Sequence, residues 1–255
     1  MPAMPAPAHP PATLISLRPA GGHQTLRRAA ARHGMAVLAV SPWRLQPRTD
    51  DADVQALAAA LQAPVVVFTS PAAVRCAAAL ASLRKPARSQ WLAVGEGTAR
   101  ALRAAGVTPV QQPTRMDSEG LLAMPALASV QTVGLVTAPG GRGLLAAELQ
   151  RRGVALHRAD VYARVPLTLA PALLARLRAL RGPSVLALSS GEALERVMPQ
   201  LPDEVAARWR AQPVVAASDR LVQLAREAGF AQVRRAQGPR PAQLVAAAIT
   251  PFPPN

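Results

Sequence analysis

The chain has 255 residues, half of them apolar and only 3% aromatic, so a sizeable core is possible but has to be built from Ala, Val and Leu. The formal net charge is +15, and Lys85 is the only one of the 29 basic residues that is not an arginine. Arginine pairs well with carboxylates and phosphates, so the charge favours an anionic partner. The arginines are scattered and lack interleaved aromatic residues, which argues against nucleic acid and favours a polyanionic small molecule.

The two ends of the chain are proline-rich, and residues 1–12 and 251–255 are predicted to be tails. The first of them has neither a basic start nor an apolar run, so no signal peptide is expected. No uninterrupted apolar stretch reaches the length of a membrane span, and a cytoplasmic protein is therefore predicted. Cys76 is the only cysteine, which excludes an intrachain disulfide, and its apolar surroundings predict a small core residue.

Between the tails, short Val- and Leu-rich runs alternate with longer Ala/Leu/Arg segments of helical character. This alternation predicts an α/β fold in which parallel sheets carry helices on both faces. In chain order the predicted strands are Leu14–Leu17, Val37–Val40, Val65–Phe68, Trp91–Val94, Val133–Val136, Ala155–Ala159, Val185–Leu188, Val214–Ala217 and Gln232–Arg234.

An internal repeat runs through these elements at an offset of about 120 residues. Three pairs of segments match, namely Ser16–Val40 with Val136–Ala159, Val65–Val74 with Val185–Leu194, and Leu92–Val107 with Val214–Phe230. In the first pair both copies have a proline, then glycines, then a helix that ends at Gly34 or Gly153, then a strand. The chain is therefore interpreted as two copies of one α/β unit.

Two further extended segments, Val40–Pro47 and Asp160–Leu167, follow the glycine-helix-strand unit of their own copies and are predicted to be strand-like connectors. If both cross between domains, one domain is 41–166. The other is then discontinuous and consists of 13–40 plus 167–250. Two domains in simple tandem are the alternative that the residues alone leave open.

An ordered set of motifs from about Leu14 to Ile249 resembles the uroporphyrinogen-III synthase family. The motifs are "RPAGG", "VVVFTSPAAV", "VGEGTARALRAAG", "SEGLL", "APGGRGLLAAELQRRG", "VYAR", "LSSGEAL" and "REAGF". The resemblance implies two similar α/β domains joined by a two-stranded connector, with the first domain split between the chain ends. It also settles the choice between the two domain arrangements in favour of the discontinuous one.

The resemblance further implies an activity, that of a lyase in porphyrin and heme biosynthesis. Its substrate would be hydroxymethylbilane, a linear tetrapyrrole with eight carboxylates, which is cyclised and dehydrated with inversion of ring D. No cofactor and no metal are implied, and the protein would be a monomer in possible transient contact with the preceding pathway enzyme. The alternative function is a non-catalytic, hinge-type sensor of an anionic small molecule.

The loops that follow the predicted strands each precede a helix, and the free N–H groups at a helix start bind anions. The candidate substrate-binding residues are Arg18 of "RPAGG" and the loop residues Thr69, Ser70, Ala72, Thr98, Gly141, Arg142, Ser189, Ser190, Ser218 and Arg220. Taken one by one, the serines are ordinary helix caps. Their occurrence at equivalent loops of both copies favours a shared cleft.

Two residues of this chain match the family's site residues directly. Thr98 corresponds to the threonine of "VGEGT", whereas its counterpart in the second copy is Arg220, where many members carry a hydroxyl. Tyr162, the only tyrosine, corresponds to the family's tyrosine at the second connector, so the resemblance makes it the candidate catalytic residue that assists departure of the substrate hydroxyl. Packing at a hinge is the alternative for Tyr162. Asp160 is expected to be a solvated connector residue, and His157 is expected to be packed or exposed.

Overall fold

The computed structural model describes residues 13–115, 118–139 and 143–252. The strands are β1 (Thr13–Ser16), β2 (Ala36–Ala39), β3 (Trp43–Pro47), β4 (Val65–Phe68), β5 (Gln90–Ala93), β6 (Thr132–Thr137), β7 (Ala155–Asp160), β8 (Tyr162–Pro166), β9 (Ser184–Leu188), β10 (Val214–Ala216) and β11 (Val233–Arg235). The helices are α1 (Gln24–Ala31), α2 (Asp51–Leu61), α3 (Pro71–Leu80), α4 (Glu96–Ala104), α5 (Ser118–Leu122), α6 (Leu144–Arg151), α7 (Pro171–Ala179), α8 (Gly191–Val197), α9 (Asp203–Arg210), α10 (Asp219–Glu227) and α11 (Pro241–Ile249).

The strands form two parallel sheets, which confirms the predicted fold class. One sheet has the order β11-β10-β9-β1-β2, and the other has the order β5-β4-β6-β7. All strand pairs within the two sheets are parallel. Crossover helices are what allow consecutive strands to run in the same direction, and the alternation of helix and strand supplies them.

The two sheets share one topology, as expected for an internal duplication. Strands β10-β9-β1-β2 of the larger sheet occupy the places of β5-β4-β6-β7 in the smaller one, in the pairing predicted from the repeat. Even the additional edge strand β11 has a counterpart, because Gln111 forms an isolated parallel bridge with Leu92 of β5. Gly34 and Gly153 end the equivalent helices α1 and α6 with φ values of 68° and 76°. That left-handed conformation costs glycine little and other residues more.

The chain divides into two units of dense internal contact. Unit 1 comprises the chain up to Arg44 and again from Val165 onward, and unit 2 is Leu45–Arg164. Both divisions fall inside strands β3 and β8, which pair with each other in a two-stranded sheet. The predicted domain boundaries, at 40/41 and 166/167, stay a prediction.

The sheet of unit 2 is buried on both faces. On one face Val66 and Phe68 pack with Leu57 of α2, Val74 of α3 and Leu102 of α4. The opposite face has its own cluster, in which strand residues pack with α5 and α6. That cluster is Val65, Val67, Leu92, Leu121, Leu127, Val133, Leu135, Leu145, Leu149 and Val154. The period of two in a strand explains why alternate residues of β4 enter different clusters.

Cys76 is partly buried against the first of these clusters, as predicted for a small core residue, and burial raises the pKa of its thiol. In unit 1, α1 packs against α11, and α10 and α11 cover β10. Among the described residues, no helix combines the length and apolar character needed to cross a membrane.

Close packing of α2 on β6 leaves no room for a side chain at Gly134. A Cβ atom at this position would overlap the backbone carbonyl of Ala60, which cannot move without displacing the end of α2. Gly97, in the first turn of α4, is the matched control, because a Cβ atom there would lie at an ordinary 3.5 Å from Pro71.

We expect Gly134→Ala to lower the free energy of unfolding by about 3 kcal/mol, because the strand and helix backbones must separate. Gly97→Ala should be neutral or stabilising by up to about 1 kcal/mol, because alanine is the better helix former. Urea denaturation of both variants measures the difference. Equal stability of the two would contradict the packing described for α2.

A buried histidine joins the ends of two strands in unit 1. His23 is 4% exposed, with Nδ1 2.9 Å from Ser16 Oγ and Nε2 2.9 Å from Ser41 Oγ. A neutral imidazole has one donor and one acceptor nitrogen, so two hydroxyls satisfy it completely. Burial, followed by the positive charges of Arg27 and Arg18, lowers the pKa of His23 from 6.5 to about 4.

This pKa makes the stability of the protein depend on pH. Between pH 6.5 and pH 4 the unfolded chain binds a proton at His23 and the folded chain does not. The contribution of neutral His23 to the free energy of unfolding is therefore complete above pH 6.5 and is lost as the pH falls toward 4. Over this range we expect His23→Gln to lose less stability than the wild type, by on the order of 2 kcal/mol. Denaturant titrations across the range measure the loss, and His33→Gln, at an exposed position, is the control that should follow the wild type.

Candidate active site

Unit 2 contains an open pocket of about 250 Å³ at the carboxyl ends of its strands. Parallel strands bring their carboxyl ends to one edge of the sheet, and the loops there lie side by side. The polar residues that line the pocket are Thr69, Ser70, Ser118, Thr137, Arg158, Tyr162 and Arg164. The rest of the lining is Val94, Leu121, Leu135, Ala138, Gly143, Leu144, Leu145 and Ala146. An apolar wall with a few convergent polar groups is typical of a small-molecule site.

Two of the predicted binding residues, Thr69 and Ser70, enter this pocket from the loop after β4. Thr69 Oγ1 donates to Thr137 Oγ1 at 2.8 Å, which links the ends of neighbouring strands β4 and β6. Ser70 Oγ accepts a hydrogen bond of 3.0 Å from the backbone N–H of Ala73 and so caps α3. Ser70 therefore combines the capping role with a position in the pocket.

The predicted catalytic residue Tyr162 also lines the pocket. Its side chain is 6% exposed and belongs to the core cluster of Phe68 and Val74, which holds the ring in place. Its hydroxyl oxygen lies 3.4 Å from Ser70 Oγ. A contact of that length is a weak hydrogen bond, so the phenol group is fixed in position but only lightly bound. Packing and a place in the pocket are both observed for this residue.

Two arginines of the pocket, Arg158 and Arg164, were missed by the sequence analysis. The Nε and Nη2 atoms of Arg158 donate to Asp160 Oδ1 at 3.1 and 3.0 Å. Asp160 is therefore paired as well as partly exposed. The available signal was the alternation in "RADVYAR", which puts Arg158, Asp160, Tyr162 and Arg164 at every second position.

Two of the remaining predicted residues of unit 2 lie outside the pocket lining. Thr98 is 2% exposed inside α4 and is not part of the pocket lining. Ala72 lies on α3, partly buried against the core cluster, and is likewise not part of the lining. Gly141 and Arg142 lie outside the residues that the structure describes.

The predicted residues of unit 1 lie at the equivalent edge of the larger sheet. Arg18 follows β1, Ser189 and Ser190 follow β9, and Ser218 follows β10, three neighbouring strands. Arg220 stands in the first turn of α10. Burial lowers the pKa of Arg18, although the guanidinium stays charged at any physiological pH.

Within that edge, Arg220 lies close to the start of α8. Its Nη1 atom is 3.6 Å from the place that a Cβ atom of Gly191 would occupy. Ser190 Oγ accepts a 3.4 Å hydrogen bond from Ala193 N–H and caps α8, as Ser70 caps α3. Ser218 is the N-cap residue of α10 but forms no side-chain cap. Arg220 thus lies beside the start of α8. At the equivalent position of the repeat, the first copy has Thr98.

No group of three or more His, Cys, Asp and Glu side chains in the described part of the chain has the arrangement of a metal site. The groups described at the two sheet edges are arginines, hydroxyls and helix starts. Such groups bind carboxylates and other oxyanions.

Comparison with known proteins shows which family the chain matches. The family model described as "Uroporphyrinogen-III synthase HemD" matches residues 24–246. A uroporphyrinogen-III synthase of Salmonella typhimurium is 30% identical over 153 residues, which cover 58% of this chain and 62% of that protein. The matched region thus spans less than two thirds of the length of that relative.

Solved structures of uroporphyrinogen III synthases share the fold of this chain. A mutant uroporphyrinogen III synthase from the extremely thermophilic bacterium Thermus thermophilus has a TM-score of 0.58 at 19% identity, over 92% of this chain and 96% of that one. Uroporphyrinogen-III synthetase from Helicobacter pylori also has a TM-score of 0.58, at 15% identity over 94% and 99%. At these identities the likeness is one of fold, whereas the family match extends over most of the sequence. The chain therefore belongs to the uroporphyrinogen-III synthase HemD family.

Proposed function

We propose that this protein is a uroporphyrinogen-III synthase, a lyase that converts hydroxymethylbilane into uroporphyrinogen III in porphyrin biosynthesis. The observation that carries the proposal is the family match over residues 24–246. It is supported by a pocket in unit 2 that combines arginines, hydroxyls and an apolar wall. It is supported also by the net charge of +15, which attracts a substrate with eight carboxylates.

The proposed reaction removes one water and closes the ring. The C–O bond of the ring-A hydroxymethyl group breaks as the hydroxyl takes up a proton, and the pyrrole nitrogen supplies the electrons. The substituted α-carbon of ring D attacks the resulting azafulvene and forms a spiro intermediate. That intermediate breaks its bond to the ring-C methylene and recloses at the other α-carbon of ring D, which then loses a proton. One proton is taken up and one is released, so the balance is the loss of water.

The substrate supplies the electron push, so the protein has to hold the tetrapyrrole in the reactive shape and help the hydroxyl to leave. In this proposal Tyr162 donates the proton to the departing hydroxyl, since its phenol is fixed in the pocket and only weakly bonded to Ser70. The arginines and helix starts hold carboxylates. Thr98, Ala72, Gly141 and Arg142 in unit 2 and Arg18, Ser189, Ser190, Ser218 and Arg220 in unit 1 remain proposed contacts.

Several accompanying properties belong to the same proposal. The enzyme would work in the cytoplasm as a monomer without cofactor or metal, and it would bind neither nucleic acid nor membrane. It would receive its unstable substrate in transient contact with the preceding enzyme of the pathway. The two units would be separate domains of 13–40 plus 167–250 and 41–166, hinged at the two connector strands.

Activity is the direct test. Purified protein, supplied with enzymatically generated hydroxymethylbilane in the presence of a chelator, should yield mainly the III isomer. Chromatographic separation of the I and III isomers after oxidation measures the outcome. Appearance of the I isomer alone, the product of spontaneous closure, would refute the proposed function, and loss of activity with chelator would refute the metal-free mechanism.

The role of Tyr162 is tested by Tyr162→Phe, which keeps the ring and removes the hydroxyl. Proton donation by a side chain contributes roughly 10²–10⁴-fold, but the substrate has its own electron push, so we expect kcat to fall by about 10- to 100-fold. The free energy of unfolding should change by less than about 1 kcal/mol, because only a weak hydrogen bond is lost. Thr98→Ala should reduce kcat less, because the neighbouring backbone N–H groups remain. Full activity of Tyr162→Phe would remove the tyrosine from the mechanism.

A further inference from the structure

The segment formed by β7 and β8 brings charged and aromatic side chains to the pocket at alternate positions. Ala159 and Val161, at odd positions, are buried in the core cluster, to which the ring of Tyr162 also belongs. Arg158, Tyr162 and Arg164, at even positions, line the pocket. The run stays extended through Val161, whose backbone N–H donates to Thr137 O at 3.0 Å. One segment therefore places two guanidinium groups in the pocket, with the phenol of Tyr162 between them along the chain.

The pocket lining carries two arginines, and the pocket has the size of a small ring. Of these two arginines, Arg158 forms an ion pair with Asp160. Asp160 engages the Nε and Nη2 atoms of Arg158, so this ion pair fixes the guanidinium while Nη1 takes no part in it. A volume of about 250 Å³ is below the roughly 300–1,000 Å³ of sites for drug-sized ligands, so it suits one substituted pyrrole better than a whole tetrapyrrole.

We propose that this pocket is a subsite for a single pyrrole ring of the substrate, and that Arg158 and Arg164 bind its acetate and propionate arms. The proposal rests on the proposed function, since it names the part of the tetrapyrrole that unit 2 holds. Guanidinium groups bind carboxylates through paired N–H donors. The apolar wall, which includes Val94, Leu121 and Leu135, supplies the surface for the ring itself.

The subsite predicts a specific kinetic pattern. Arg158→Gln and Arg164→Gln should each raise the KM for hydroxymethylbilane roughly fivefold and leave kcat within about twofold, because they remove binding common to substrate and transition state. Each variant should also flatten the rise of KM with salt, because one screened charge pair is gone. A purely structural role would not change the salt dependence. Arg164→Lys keeps the charge but not the paired donors and should fall between the wild type and Arg164→Gln.

Arg75→Gln is the matched control. Arg75 is an exposed arginine of α3 in the same unit and is absent from the pocket lining, so its removal changes the net charge equally. It should retain the wild-type KM and salt dependence. Arg158 and Arg164 are themselves exposed, so their glutamine variants should fold, and thermal unfolding checks this. Equal KM values and salt slopes in all three variants would overturn the subsite.

A binding experiment separates this inference from the proposed function. The probe is a monopyrrole with one acetate and one propionate arm, titrated into the protein and followed by NMR. The wild type and Arg75→Gln should bind it with equal affinity, and Arg158→Gln and Arg164→Gln should bind it roughly fivefold more weakly. Absence of binding, or equal binding by all variants, would refute the subsite even if the wild type forms the III isomer. If the wild type forms only the I isomer, the function fails, and this titration alone decides whether the pocket holds a pyrrole.

Discussion

Parallel pairing of strands is the constraint on which the rest of this structure depends. A parallel strand has to be followed by a crossover, and the helix of that crossover starts where the strand ends. In both sheets the carboxyl ends of the strands therefore share an edge with helix starts, serine caps and side chains from successive loops. The pocket beneath Tyr162 and the cluster of Ser190, Gly191 and Arg220 are the two results of this one rule. Their difference in side chains shows that the duplicated units keep the backbone arrangement and vary the groups placed on it.

In the proposed mechanism, burial of Tyr162 reconciles two demands that oppose each other. A proton donor has to be held within hydrogen-bonding distance of its target, yet a hydroxyl already strongly bonded to the protein is a poor donor to a ligand. The aromatic ring meets the first demand because it packs in the core cluster, so no strong polar contact is needed to orient it. The 3.4 Å separation from Ser70 meets the second. Ser70 in turn has its position fixed by α3 through the Ala73 N–H.

The sequence was sufficient for most of the fold but for only part of the site. Strands such as Val65–Phe68 were predicted with their observed bounds, because four consecutive buried residues can form a central parallel strand. The repeat also predicted which strands occupy equivalent places. The motifs led to the pocket residues Thr69, Ser70 and Tyr162. They also led to Thr98, which is buried inside α4, because a loop motif does not reveal which side chains turn inward. Arg158 and Arg164 were missed because each is an ordinary surface residue by composition. Only the placement of β7 and β8 in the folded unit brings both of them to the pocket.

The split of unit 1 between two distant parts of the chain has a consequence for folding during synthesis on the ribosome. Thr13 of β1 pairs with Ser184 of β9, so the first strand waits for a neighbour that is made roughly 170 residues later. At 5–20 residues per second this delay is on the order of ten to thirty seconds. Unit 2 is continuous and emerges complete during that interval. The nascent β1-α1-β2 segment meanwhile exposes an apolar strand edge that has no partner yet. The β1-α1-β2 segment is therefore exposed to aggregation until β9 has been synthesised.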